Sequence, residues 1–245
     1  MDDPLEGIRE KLKRADECIF NLDGEINSFF DEGKYRVIPD QDSQFFDVAI
    51  DYHFRRPIPL RFSVLAGEIA HHLRSCLDHL AWQLSSEEER TGRPDRIEFP
   101  VFDECPASKD ELSRYNRKIK GLSKGAKEFI GSFQPYLGPD PTIDPLFIIH
   151  EMNRLDKHRE LIIVYTGFQR KMGSSAREFF WQYNQMKTEE AWANLQAAFK
   201  ADSQVTPQIA FGKIGGWENK AVVPCLAELL SYVRIVIEES RRLFK

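Results

Sequence analysis

The chain has 245 residues, 42% hydrophobic and 30% charged, with a formal net charge of −5 and a pI near 5.8. This is enough for a full globular core, and the acidic balance excludes a surface that attracts phosphate backbones everywhere while leaving room for a local basic pocket. Four scattered cysteines without a CxxC pair exclude a disulfide framework or zinc knuckle; with no signal-like apolar run at the start and no stretch of about 18 apolar residues, the expectation is a cytoplasmic chain with no membrane span.

In chain order, Asp3 as cap, Pro4 in the first turn, and Leu5, Ile8, Leu12, Ala15, Ile19, Leu22, Ile26 and Phe29 at steps of three and four predict a first helix ended by Gly33. The β-branched and aromatic segments 35–38 and 45–54 predict a hairpin. A second helix is expected over about 62–84, and the polar stretch 85–95 reads as an exposed loop. Residues 109–136 read as two short helices broken near Gly121. Further helices are expected at about 145–164, 188–200 and 221–244, with a candidate short strand at 208–212. The sum is a mainly α protein, a helical bundle core with a small β-hairpin inserted at about 35–54 in one domain.

The helix at 65–84 carries the unusual polar residues. At about 100° per residue, Leu65, Ile69, Leu73, Cys76, Leu77, Leu80 and Leu84 share an apolar arc, and Glu68, His72, Ser75 and His79 lie opposite. The helix has no lysine, which points to burial on most sides. Three readings fit. Glu68–His72 and Arg74–Asp78 can be structural i,i+4 pairs within a bundle. Glu68-x-x-His71 has the spacing of carboxylate-bridged metal sites, although a second such motif from a partner helix is missing. In the third reading, Arg74 and His79 are a catalytic pair.

That third reading rests on Arg74-Ser-Cys-Leu-Asp-His79, which resembles the R-x4-6-H motif of the HEPN superfamily of helical domains, many of them metal-independent ribonucleases. The wider stretch 67–80, with Asp156-Lys157-His158-Arg159 downstream, is also similar to a group of uncharacterised bacterial helical proteins. The HEPN resemblance implies a domain acting on RNA or nucleotides without cofactor or metal. Arg74 would hold phosphate and His79 would transfer protons. Members of that superfamily usually pair two such motifs across a dimer, so the resemblance further implies a homodimer. A regular helix sets Arg74 and His79 about 140° apart, and bringing them to one face calls for a dimer, a long snorkelling Arg74 or a local helix distortion.

The helix at 145–164 adds His150, Arg154, Asp156, Lys157, His158 and Arg159. Arg159 falls inside its apolar arc and Asp156 at the edge, so both are expected against the 65–84 helix. Arg159 would meet Glu68 or Asp78, and Asp156 would meet Arg74 or a histidine. No phosphate-binding glycine loop, G-x-S-x-G elbow or H-E-x-x-H motif occurs. A non-enzymatic scaffold or partner-binding protein with a structural polar cluster is the alternative function, and a metal-binding helical protein the third.

Overall fold

A computed structural model describes residues 3–32, 36–39, 48–51, 57–158, 164–171, 178, 181–182, 185–202 and 204–244. The protein is mainly α. Its elements are α1 (Glu6–Glu32), β1 (Arg36–Pro39), β2 (Val48–Asp51), α2 (Leu60–Leu84), α3 (Glu87–Gly92), α4 (Lys109–Lys118), α5 (Lys124–Gly131), α6 (Pro145–His158), β3 (Val164–Lys171), α7 (Glu189–Asp202), β4 (Gln204–Phe211) and α8 (Val222–Ser240). Strands β1 and β2 form the expected antiparallel hairpin, Arg36 opposite Asp51, while β3 and β4 form a second two-stranded sheet.

Two compact units emerge. One comprises residues 1–27, 58–165 and 210–245, the other residues 28–57 and 166–209. The sequence reads as one helical domain with a hairpin attached, whereas the structure groups that hairpin with 166–209 as a unit of its own. Among the described residues no helix is long and apolar enough to cross a membrane.

Helix α1 starts where Asp3 accepts the Leu5 N–H at 2.9 Å, satisfying one of the free donors of a helix start. Its stripe from Leu5 to Ile26 is buried as the period requires. Helix α2 is the central element. Leu65, Ile69, Leu73, Leu77 and Leu80 are buried on one side, and Ala66, Gly67, Ala70 and Ala81 are also buried, which lets neighbours approach closely. It packs against α6 and α8. Cys76 meets α1 by donating its S–H to the Ile8 carbonyl at 3.8 Å. Burial pushes that thiol up to about 12, so it stays protonated and able to donate.

Two expectations are corrected. Residues 85–95 are not all loop, because Ser86 caps the short helix α3 by accepting the Glu89 N–H, and Ser85 pairs with Leu122 in an isolated bridge. Helix α6 does not reach Val164, which opens β3 instead; the run Val164-Tyr165-Thr166 is β-branched and aromatic, and such residues favour a pleated strand. Strand β4 is longer than the 208–212 expected. All four cysteines are free thiols.

Candidate functional site

Arg74 and Asp78 lie one turn apart on α2 and hold the segment around Phe99, which has no strand partner among the described residues. Arg74, 4% exposed, places Nη2 2.8 Å from Asp78 Oδ1 and donates from Nε to Oδ2 at 3.2 Å. The same Nη2 donates to the Phe99 carbonyl at 2.7 Å, while the Phe99 N–H donates to Asp78 Oδ1 at 2.9 Å. Both polar groups of this residue are thus met by one ion pair, as a buried peptide requires, and the Phe99 ring is fully buried. Gln134 does the same further on, accepting from Phe102 N at 3.0 Å and donating to the Pro100 carbonyl at 3.0 Å.

On α6, His150 brings Nδ1 to 3.4 Å from Arg74 Nη1. An arginine only donates, so His150 is neutral there with its proton on Nε2. Burial, then the Arg74 charge, holds its imidazole below the ordinary value.

Beyond Phe99 the segment forms one wall of a cleft of about 680 Å³, within the range of small-ligand sites. Ala81, Ile97, Phe102 and Leu122 supply apolar lining, and Arg93, Arg96, Arg114, Arg117, Lys118 and Lys120 supply charge. Helix α4 positions three of these. A reciprocal Ser108–Glu111 capping box fixes its start, and Arg114, Arg117 and Lys118 follow at the three- and four-residue spacing that shares a face. The two carboxylates of the cleft are engaged, Glu89 with Lys120 at 3.0 Å and Glu98 with Lys118 at 2.5 Å. Glu98 also lies 3.8 Å from Arg74 Nη2, linking the cleft to the clamp. Burial raises the Glu98 carboxyl, but the hydrogen bond and charge of Lys118, with the Arg74 charge, outweigh it and hold it below the ordinary range. Among the described residues Arg93, Arg96, Arg114 and Arg117 carry no ion pair.

Among the described residues, those singled out in the sequence are not gathered into one site. Arg74 faces Phe99 and His150, whereas His79 is exposed, its imidazole lowered by partial burial and by Lys11 of α1. His72 is half-buried and lowered by burial and by His71. Glu68 is exposed and makes no hydrogen bond to His72 among the described residues. His71 Nδ1 lies 3.3 Å from Asn153 Oδ1, and among the described residues no three His, Cys, Asp or Glu side chains converge as a metal site needs.

Among the described residues Asp156 makes no hydrogen bond or ion pair with Arg74 or with a histidine. Its carboxylate rests over Gly67, where an added Cβ would lie 2.2 Å from Oδ1. Arg74 instead takes partners nearer in space, Asp78 and the segment at 98–99. The His158 side chain and Arg159, with its expected contacts, lie outside the described residues. Sequence reasoning passed over the cleft cations and Glu98; the only signal was local, basic residues three apart in Arg90-Thr-Gly-Arg93-Pro-Asp-Arg96 and in Arg114-Tyr-Asn-Arg117-Lys118. No family model, curated protein or solved structure matches the chain.

Proposed function

We propose that this protein is a nucleotide- or RNA-acting helical domain whose ligand enters the arginine-lined cleft between α3 and α4. The observation that carries this reading is the charge imbalance at the cleft. Six cations surround it, its two carboxylates are spent on two of them, and four arginine forks remain for an anion in a chain that is acidic overall. Guanidinium forks match phosphate oxygens bidentately. The exposed side of Phe102 and the neighbouring apolar lining suit a base or sugar.

Within this reading Arg74 is a positioning residue. Its guanidinium is occupied by Asp78, Phe99 and His150, and it acts on the ligand only by fixing the wall that bears Glu98 and Phe102. A metal-independent ribonuclease built on Arg74 and His79, as the HEPN resemblance implies, calls for a homodimer that supplies the second motif. The scaffold reading has its own support, since the Arg74–Asp78 clamp is what a purely structural cluster looks like.

Binding of a short fluorescent single-stranded RNA and of AMP tests the proposal. The unmodified protein should bind at least one of them, with affinity falling as salt rises. The double variant Arg114→Ala/Arg117→Ala should lose about tenfold or more. Binding by neither probe, or binding indifferent to both arginines, would overturn it.

A further inference from the structure

One anion position of the cleft is already filled by the protein itself. Glu98 sits between Lys118, at 2.5 Å, and the buried Arg74, at 3.8 Å. Its side chain is 45% exposed, so it can swing out without unpacking the core. Arg74 does not depend on it, because Asp78 and the Phe99 carbonyl hold that guanidinium independently. Among the described residues Lys118 has no such second anchor; it leans over the Phe102 ring at 5.8 Å, which leaves its ammonium free to exchange one anion for another. The other engaged carboxylate, Glu89, is more enclosed and pairs with Lys120.

We infer that Glu98 is a tethered competitor for the anionic group of the ligand, and that the cleft therefore selects a terminal phosphate monoester over an internal phosphodiester. This rests on the cleft being a phosphate site. An incoming group must displace a carboxylate of charge −1 that is already held at short distance by Lys118. A phosphodiester, also of charge −1, gains little from the exchange, whereas a monoester carries close to two charges at neutral pH and gains from both Lys118 and the adjacent arginines. The shared chemistry is the terminal phosphate, borne by a free mononucleotide or by a phosphorylated RNA end.

The test compares the unmodified protein with Glu98→Gln, which keeps the shape and removes the charge, using calorimetry with AMP, adenosine, and one short RNA carrying either a 5′-phosphate or a 5′-hydroxyl. The unmodified protein should bind AMP and prefer the phosphorylated RNA to its hydroxyl form. In Glu98→Gln the affinity for AMP should rise about fivefold, the scale of one partly exposed ion pair, and the preference between the two RNA forms should shrink. AMP binding without RNA binding identifies the free nucleotide as the source, and tighter binding of phosphorylated RNA identifies the RNA end; either supports the inference. If Glu98→Gln does not fold, Glu98→Ala gives the same comparison, and the preference of the unmodified protein is read without any variant. AMP bound equally or more weakly by the variant, with binding still lost in Arg114→Ala/Arg117→Ala, overturns the competitor and leaves the phosphate site standing. No binding of any probe by either protein overturns both.

Discussion

At Phe99 a single peptide meets two charged side chains from α2, one taking its N–H and the other its carbonyl. The geometry explains why an arginine and an aspartate stand four residues apart on a helix that is otherwise apolar on that side. Replacing Arg74 with alanine strands Asp78 and the Phe99 carbonyl together. The expected loss is about 2–4 kcal/mol, at or below the range of roughly 3–5 for a fully buried pair because Asp78 keeps some water. His79 is exposed and has no hydrogen-bond partner among the described residues, so His79→Ala should stay within about 0.5 kcal/mol. Urea melts of the two single variants make the comparison. An Arg74→Ala protein as stable as the parent would remove the clamp from this account.

At the scale of elements, α2 and α6 approach closely because α2 offers Gly67 where α6 offers Asp156. Two effects oppose each other at this glycine. Alanine is the better helix former by about 1 kcal/mol, but its methyl would fall against the Asp156 carboxylate, and overpacking of that kind costs about 1–3 kcal/mol. Gly67→Ala alone is therefore expected to destabilise by about 1 kcal/mol. In an Asp156→Ala background the clash is gone, and the same substitution should stabilise by up to about 1 kcal/mol. The reversal of sign in a double-mutant cycle is the observable, and equal effects in both backgrounds would mean that the two side chains do not meet.

For the whole molecule, acid stability is governed first by histidines. Burial depresses His150, His72 and His79, with the Arg74 charge adding to the first, His71 to the second and Lys11 to the third. Folded imidazoles below the ordinary value of about 6.5 bind fewer protons than the unfolded chain, so stability is complete above that value. It is lost as pH falls from there through the lower folded values. The lowered carboxylates Asp3, Glu98 and Glu111 act in the same direction only further down, near their ordinary range. Asp144, raised by burial, opposes them there. The melting temperature should therefore drop between pH 7 and 5. His150→Asn, which keeps an acceptor for Arg74 without a proton to gain, should flatten part of that slope. A melting temperature independent of pH over this window would contradict the burial of His150 and His72.

How much of this was legible in the residues differs by kind of interaction. The stripes of α1 and α2, the break near Gly121 and the hairpin could be read because period and turn chemistry are local properties of the chain. The Arg74–Asp78 pair was readable too, since four residues is one helical turn. The strand at Val164 was not, because a short apolar run fits a helix end as well as a strand, and only the partner strand β4 decides. The cleft was least visible. Arg93, Glu98 and Lys118 come from separate segments, and their charges cancel within the global count. By itself the sequence determined which faces of the long helices are apolar and where α1, α6 and α8 start, because those follow from spacing along one chain. Tertiary structure alone decided that Arg74 turns inward to a peptide 25 residues away, and that six cations share one cleft, because both depend on which segments meet in space.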